Sequence, residues 1–176
     1  SPLRLELPSN VKLGHIRLIL PPVQKLRGLV LLTAATGEET YVGRERRFAK
    51  PLSKHGIGVL LLTVPFYGTR RPRGQVACYI RTVSEYMLQS LTTLLEGVSL
   101  LRWCRETFKS TPLLVSGLSW GGGTSASIAI ACRDLERFAC VPILGSTSPR
   151  AMVEGVRMVF ECILFVFSCT PHHFET

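Results

Sequence analysis

Two segments that are apolar on both faces most constrain the fold of this chain. Residues 26–33 and 57–64 show little alternation between polar and apolar side chains, which is typical of central strands covered by helices on both faces of a sheet. Strand-like segments also occur at residues 11–20, 112–116 and 138–144. Helical patterns separate most of them, so the sequence predicts a mostly parallel sheet with right-handed crossovers and helices on both faces.

Three helices are predicted between these strands. The first covers residues 43–55, where Phe48 and Leu52 have helical spacing and Gly56 provides a stop. A long second helix is predicted from apolar residues that recur every three or four positions, as in an amphipathic helix with one buried stripe. These residues are Ile80, Val83, Met87, Leu91, Leu94, Val98 and Leu101. The third helix is predicted at residues 121–132.

The composition fits one globular domain without a membrane-spanning helix. The 176 residues are 46% hydrophobic and 19% charged, which is enough apolar material for a core of domain size. The most apolar segment, residues 156–169, is shorter than a membrane span and carries Arg157 and Glu161. We therefore expect a single domain over residues 1–176 and no transmembrane helix.

Six cysteines are scattered without a C-x-x-C pair or a histidine at ligand spacing, which argues against a zinc site and a disulfide framework. They are Cys78, Cys104, Cys132, Cys140, Cys162 and Cys169. Free cysteines commonly behave as small hydrophobic residues, so we expect reduced and mostly buried thiols. This expectation favours an intracellular protein and leaves mitochondrial and membrane-associated locations open.

The formal net charge of +9 is concentrated in the first half of the chain. The main contributors are Arg44, Arg46, Arg47, Lys50, Arg70, Arg71 and Arg73. The simplest expectation is solvated surface charge, and an excess of this size also favours contact with anionic surfaces such as lipid head groups. Nucleic acid is a poor candidate partner because no recognised nucleic-acid-binding module accompanies the charge.

Residues 117–121 read Gly-Leu-Ser-Trp-Gly and carry the pattern G-x-S-x-G. The pattern alone is weakly specific, but here it joins a short apolar strand to a helix that begins with small residues, which is the setting of a nucleophile elbow. In such a turn the serine has a strained backbone, and side chains in place of the two glycines would collide with their neighbours. The helix dipole also favours negative charge at the serine. We therefore predict Ser119 as a nucleophile, with Gly117 and Gly121 as the elbow glycines.

A serine that attacks a carbonyl needs amide donors for the oxyanion. In this architecture one comes from the residue after the nucleophile, which is Trp120, and the other from the loop after an earlier strand. The small residues 34–37 follow the second predicted strand, so we predict the amide of Ala35 or of Thr36 as the second donor and leave that choice open. An ordinary tight connection is the alternative explanation for this loop. Such chemistry needs no cofactor, and no Lys follows the glycines at 121–123 to make a phosphate-binding loop.

The base and the acid of a catalytic triad are not evident. They would follow the serine in the order acid, then histidine. The acidic residues after the serine come too early or fall on an apparent helix, and each histidine either precedes the serine or lacks a preceding strand. These residues are Asp134, Glu136, Glu154, Glu161, His15, His55, His172 and His173. We therefore expect the acid and the histidine beyond Thr176, in a chain truncated at its carboxyl end.

Four short blocks are distributed along the chain. They read Ala-Ala-Thr-Gly-Glu at 34–38, Ala-Lys-Pro-Leu at 49–52, Pro-Phe-Tyr-Gly-Thr-Arg-Arg-Pro at 65–72 and Gly-Leu-Ser-Trp-Gly-Gly at 117–122. Together they resemble the alpha/beta-hydrolase domain-containing protein eighteen family, and the block at 65–72 is the most discriminating. Trp120 stands where that family usually has Met, and Ala35 stands where it has the first Gly of A-G-T-G.

The resemblance implies an α/β-hydrolase fold with a serine nucleophile and, for some relatives, a link to lipid acyl chains. Our leading interpretation is a serine hydrolase that acts on an ester or thioester of a small-molecule or lipid acyl substrate. The alternative is a non-catalytic or incomplete hydrolase-fold protein that lacks the acid and the histidine and binds an anionic partner. The likeness fades near residue 157, and we interpret residues 157–176 as a divergent or out-of-frame tail.

Overall fold

Five strands alternate with helices in residues 7–145, the part of the chain that the computed structural model describes. The strands are β1 Ile16–Ile19, β2 Gly28–Thr33, β3 Ile57–Leu62, β4 Leu113–Leu118 and β5 Phe138–Ile143. The α-helices are α1 Val42–Arg44, α2 Lys50–Lys54, α3 Val83–Phe108 and α4 Trp120–Ala131. Short 3-10 turns occupy Ser9–Val11, Val23–Lys25 and Gly68–Arg70.

The strands form one sheet in the order β1-β3-β2-β4-β5. Strands β2 to β5 are parallel where they pair, and β1 lies antiparallel at the edge against β3. Parallel strands β2 and β4 are neighbours although α1, α2, β3 and α3 separate them in sequence, so their carboxyl ends meet at one edge of the sheet. In particular, Thr33 lies beside Gly117. The predicted mostly parallel sheet is confirmed.

Both faces of the central strands are buried, as the sequence predicted. Leu29 and Leu31 of β2 pack in one cluster with residues of α3 and α4, including Leu101 and Ile128. The alternate residues of β2 pack on the other face against the helical segment that contains Ala49. This two-sided burial is what a doubly apolar strand requires.

The predicted helix at residues 43–55 is present but contains an irregular turn. The chain passes from α1 through a π-helical turn at Glu45–Ala49 into α2. It stops at Gly56, whose φ is +82° and whose Cβ, if it had one, would lie 2.3 Å from the Lys25 carbonyl oxygen. The first strand is shorter than the predicted 11–20, because only Ile16–Ile19 pairs with β3.

The predicted buried stripe of α3 is wrong in its first half. Val83, Met87 and Leu91 are 80%, 60% and 50% exposed, whereas Ile80, Leu94 and Val98 are partly buried and Leu101 is buried. The buried positions there are instead Gln89, Thr93 and Gly97. A Cβ on Gly97 would lie 2.4 Å from Ile128 Cδ1 of α4, so the close approach of two helices selects small residues on the inner face of α3.

Two of the basic residues expected at the surface are buried. Arg70 is fully buried, and its guanidinium donates to both carboxylate oxygens of Glu96 and to the carbonyls of Thr63 and Val11. Arg44 is 3% exposed and donates to strand carbonyls. Part of the basic charge therefore lies inside the fold, where it forms hydrogen bonds, and not on the protein surface.

The described cysteines are free thiols. Cys104 and Cys132 are buried, and Cys78 and Cys140 are half-buried. Burial raises the pKa of Cys104 to about 12, so this thiol stays protonated and unreactive at neutral pH.

Several sequence predictions lie outside the described residues. They concern Glu154, Glu161, His172, His173, Cys162, Cys169 and the predicted change near residue 157. Among the helices that the structure does describe, none has a stretch long and apolar enough to cross a membrane.

Candidate active site

Ser119 occupies the turn between β4 and α4 in a backbone conformation that is rare for a residue other than glycine. Its φ is 56° and its ψ is −119°, a region that costs about 1–3 kcal/mol and persists only when the surroundings impose it. The Ser119 amide donates to the Ile143 carbonyl of β5 at 2.9 Å, and its carbonyl accepts from the Gly123 amide at 3.1 Å. The side chain is exposed at the carboxyl edge of the sheet.

The glycines on either side of Ser119 are required by close backbone contacts. A Cβ on Gly117 would lie 2.0 Å from Thr33 Oγ1 and 2.5 Å from the Gly121 carbonyl oxygen. A Cβ on Gly121 would lie 2.7 Å from the Ala34 carbonyl oxygen. No side chain fits at such distances, so the turn at Ser119 packs directly against the end of β2.

Thr33, the last residue of β2, connects this strand to both sides of the elbow. Its buried hydroxyl lies 2.7 Å from the Gly121 carbonyl oxygen and 3.0 Å from the Ser116 carbonyl oxygen, and it can donate its proton to either. Thr33 is not among the site residues predicted from the sequence. Its only signal is a polar residue at the end of an otherwise apolar strand.

The loop after β2 has two of its amides engaged by side chains. The Ala35 amide donates to Glu38 Oε2 at 2.9 Å, and the Gly37 amide donates to the Tyr67 hydroxyl at 3.4 Å. Thr36 lies between them and is exposed, and its amide has no acceptor among residues 7–145. Of the two predicted oxyanion donors, Thr36 is thus the one without a partner in the described structure.

Glu38 is itself held by two arginines. Its Oε1 accepts from Arg47 Nη2 at 2.5 Å, and its Oε2 lies 3.6 Å from Arg44 Nε. Arg44 also donates to the Leu32 carbonyl at 2.7 Å and to the Leu62 carbonyl at 3.0 Å. Burial lowers the pKa of Arg44, and the Glu38 carboxylate opposes that shift. The loop is therefore tied to the ends of β2 and β3 through one buried guanidinium.

Tyr67 belongs to the loop after β3 and packs beside the elbow. It is 4% exposed and forms a small apolar cluster with Ala34 and Val64, against which Trp120 packs. Burial raises the pKa of the Tyr67 phenol, while hydrogen bonding to the Gly37 amide opposes the shift. The phenol therefore stays neutral over the physiological pH range.

The loop that carries Tyr67 is fixed by buried glutamines. Gln89 of α3 donates to the Pro65 carbonyl at 2.9 Å, and Gln75 donates to the Phe66 carbonyl at 2.8 Å. Phe66 has a φ of 66°, so this loop, like the elbow, holds a strained backbone at the same sheet edge. Tyr67 and Glu38 fall within blocks on which the family resemblance rests, and that was the only sequence signal for them.

A cavity of about 20 Å³ lies next to the elbow, on the face of the sheet covered by the helical segment 42–54. Leu32, Phe48 and Leu118 line it together with Glu38 and Arg44, whereas Ser119 does not. Its size suits about one water molecule. It is too small for an acyl chain.

No described acid or imidazole reaches Ser119 by a hydrogen bond. Asp134 is exposed and pairs with Arg102 at 3.1 Å, and Glu136 is exposed. His55 lies just before β3, at the sheet edge opposite to Ser119. The His15 carbonyl accepts from the Thr63 amide near the edge strand β1. Within residues 7–145 the candidate site therefore comprises Ser119 and the predicted amide donors, without an acid or an imidazole bonded to the serine.

Comparison with known proteins gives a family and a fold. The sequence profile of the family described as alpha/beta hydrolase domain containing 18 matches residues 2–158. Among solved structures, Est1E from Butyrivibrio proteoclasticus, determined with ferulic acid bound, is similar at 15% identity and a TM-score of 0.53 over 75% of this chain and 49% of that chain.

Two further structures are similar over shorter shares of their length. TT1662 from Thermus thermophilus matches at 19% identity and a TM-score of 0.52 over 66% of this chain and 46% of that chain. A carboxyl esterase from Bacillus coagulans, in complex with glycerol, matches at 15% identity and a TM-score of 0.50 over 72% and 39% of the two chains. The chain thus spans about half or less of the length of these proteins, and identities this low establish the fold alone.

Proposed function

Because this chain belongs to the alpha/beta hydrolase domain containing 18 family and has the α/β-hydrolase fold, we propose that it is a serine hydrolase. The proposed reaction is hydrolysis of an ester or thioester, with Ser119 as the nucleophile. The observation that carries the proposal is the backbone of Ser119, at φ 56° and ψ −119° between β4 and α4. Strained backbone of this kind clusters at active sites, and here it presents a hydroxyl at the edge of the sheet.

The chemistry follows from what surrounds that hydroxyl. Ser119 Oγ attacks the carbonyl carbon, its proton passes to a base, and the carbonyl oxygen becomes an oxyanion. The amide of Trp120, at the first position of α4, and an amide from the loop at Ala35 or Thr36 stabilise this charge. The intermediate then expels the alcohol or thiol, and water releases the acid from the acyl-serine. No cofactor takes part in these steps.

The base and its orienting acid are proposed to come from outside residues 7–145. Within that range the described imidazoles of His15 and His55 do not bond to Ser119. A serine hydroxyl is a weak nucleophile without a neighbouring base. The proposed mechanism therefore requires a histidine in residues that the structure does not describe or that this sequence does not contain.

The proposed substrate is a small molecule with an apolar acyl group. Trp120 and Ile80 pack with the cluster around Tyr67 beside the elbow, and Val76 and Tyr79 in the adjoining loop are 72% and 70% exposed. The apolar side chains around Trp120, together with these exposed ones in the loop after β3, support a lipid-derived acyl chain over a polar one. The exposed side chains of Arg46, Arg47 and Lys50 would suit an anionic head group or membrane surface.

Hydrolysis assays with matched substrates test this function. We expect the protein, in a form that includes the histidine base, to hydrolyse p-nitrophenyl octanoate faster than p-nitrophenyl acetate, because the octanoyl chain buries more apolar surface. The Ser119→Ala variant should lose at least about a thousandfold in kcat. Equal rates for this variant and the unmodified protein would exclude Ser119 as the nucleophile.

A non-catalytic protein is the second candidate, favoured by the lack of a base beside Ser119 in the described residues. In that case Ser119→Ala would leave the properties of the protein unchanged. Binding to vesicles that contain anionic lipid, measured by sedimentation at low and high salt, would then be the remaining activity.

A further inference from the structure

We propose that the Thr36 amide, and not the Ala35 amide, is the second oxyanion donor, and that Glu38 and Tyr67 are positioning residues that hold it. This inference rests on the proposed hydrolase function and identifies one of the two amides that would stabilise the oxyanion. It settles a choice that the sequence leaves open, because Ala35 and Thr36 are adjacent small residues of the same loop.

The amides of Ala35, Thr36 and Gly37 differ in whether they have a hydrogen-bond acceptor. A backbone N–H group is a hydrogen-bond donor that folded proteins nearly always satisfy. The Ala35 amide is engaged by Glu38 at 2.9 Å and the Gly37 amide by Tyr67 at 3.4 Å. The amide of Thr36, exposed between them, has no acceptor in residues 7–145. It is the one amide of the three that can donate to a substrate without first breaking a described bond.

The second step is the position of the loop. Its first carbonyl, that of Ala34, would lie 2.7 Å from a Cβ on Gly121, and Thr33 is hydrogen-bonded to the same residue. The loop therefore starts against the first turn of α4, where the Trp120 amide is located. Two donors from neighbouring backbones at one sheet edge form the arrangement that an oxyanion requires.

The third step is what fixes the loop. Glu38 bonds to Arg47 and lies beside Arg44, which is tied to the carbonyls of Leu32 and Leu62. Hydrogen bonds in which the donor or the acceptor is ionised are stronger than hydrogen bonds between neutral groups. The Glu38 carboxylate is thus fixed to the ends of two central strands, and its bond to the Ala35 amide sets the orientation of the next peptide, which carries the Thr36 amide.

Tyr67 fixes the loop from the other side. The ring is 4% exposed, and the strand-end loop that carries it is held by Gln89 through the Pro65 carbonyl. Gly37 has a φ of +80°, which lets the chain turn so that its amide faces the phenol. The peptide of Thr36 is therefore fixed at both ends by side chains that bond to the neighbouring amides of the loop.

Amide hydrogen exchange tests the assignment without requiring activity. In the unmodified protein we expect the Ala35 amide to be protected and the Thr36 amide to exchange at close to the rate of an unstructured peptide. In Glu38→Ala the protection of Ala35 should fall by at least about tenfold. A protected Thr36 amide, or an Ala35 amide that is indifferent to Glu38, would overturn the assignment.

Kinetics test the positioning role. We expect Glu38→Ala to lower kcat by about 10- to 100-fold with little change in KM, because a misplaced oxyanion donor affects the transition state alone. Glu38→Gln retains an oxygen that can accept from Ala35 and should recover most of the loss. The control is Glu45→Ala, which removes a carboxylate of the π-helical turn Glu45–Ala49 that pairs with the exposed Arg17 and Lys50. It should leave kcat unchanged.

The outcomes separate this inference from the proposed function. If Ser119→Ala retains activity, the hydrolase function fails, and amide exchange alone decides the geometry of the loop. If the protein is active through Ser119 and Glu38→Ala matches Glu45→Ala in kcat, the positioning role is wrong. A rise in KM with kcat unchanged would also contradict it, because that pattern indicates a contact with the bound substrate.

Discussion

The elbow and the loop after β2 form two sides of the candidate site and are held by different forces. Close packing holds the elbow, since neighbouring atoms leave no room for a Cβ at Gly117 or Gly121. The Ala35 and Gly37 amides donate hydrogen bonds to the side chains of Glu38 and Tyr67, and these bonds hold the loop. The first kind of restraint is steric, whereas the second depends on charged and titratable side chains. We therefore expect mutations at the elbow to affect folding and mutations around the loop to affect the alignment of its amides.

Gly117→Ala should give the largest effect. The new methyl group would lie 2.0 Å from Thr33 Oγ1 and 2.5 Å from the Gly121 carbonyl oxygen, so backbone must move. We expect the free energy of unfolding to fall by about 3 kcal/mol or more, as measured by urea denaturation. The matched control is Gly74→Ala, where φ is +79° but nothing lies within 4 Å. It should cost about 1 kcal/mol. Equal losses in the two variants would contradict the steric account.

Thr33→Val should have the next largest effect, because it removes the hydroxyl that joins β2 to the elbow. Loss of a buried hydrogen bond of this kind costs about 1–2 kcal/mol in the free energy of unfolding. The exposed Thr107 on α3 provides the control, and Thr107→Val should stay within about 0.5 kcal/mol. If thermal denaturation shows the same loss of stability in both variants, the Thr33 hydroxyl does not stabilise the elbow.

The elbow was predictable from the sequence and the loop contacts were not. One contact that requires glycine lies within the pattern itself, since a Cβ on Gly117 would lie 2.5 Å from the Gly121 carbonyl oxygen. The other contacts reach Thr33 and Ala34 at the end of β2, but the spacing of the two glycines marks the turn in the sequence. The bond between Ala35 and Glu38 is also short-range, but its strength depends on Arg44, which must first reach the ends of β2 and β3. The buried face of α3 was misread for a related reason. Its contact with Ile128 selects Gly97 through helix proximity rather than through hydrophobicity.

Tyr67→Phe should have a smaller effect, since it removes only the long bond to the Gly37 amide. We expect a loss of about 1 kcal/mol at neutral pH. The pKa of Tyr67 is raised above its ordinary value of 10.0 by burial, so the folded state holds this proton more tightly than the unfolded state does. Stability from this group is present below pH 10 and falls as the pH rises further.

The pH dependence separates Tyr67 from the other tyrosines. Between pH 8 and 11, the free energy of unfolding measured from denaturation curves should change less with pH for Tyr67→Phe than for the unmodified protein. Tyr79→Phe, at a residue that is 70% exposed, should follow the unmodified protein. If the stability of Tyr67→Phe also showed the same pH dependence as that of the unmodified protein, the Tyr67 phenol would not be buried in solution.

Met87→Ser should have the smallest effect. Met87 is 60% exposed on the outer face of α3, so its replacement should change the free energy of unfolding by no more than about 0.5 kcal/mol. Leu101→Ala, at a residue that is 1% exposed on the same helix, should cost about 2–4 kcal/mol. A large loss for Met87→Ser would restore the buried stripe that the sequence predicted.

Covalent labelling of Ser119 tests the central claim most directly. A fluorophosphonate reacts with a serine only where the hydroxyl is activated and the phosphoryl oxygen finds oxyanion donors. We expect one adduct per chain by intact mass, located at Ser119 by peptide mapping and lost in Ser119→Ala. An adduct at another residue, or no adduct above that of Ser119→Ala, would contradict the claim that this elbow carries a reactive nucleophile.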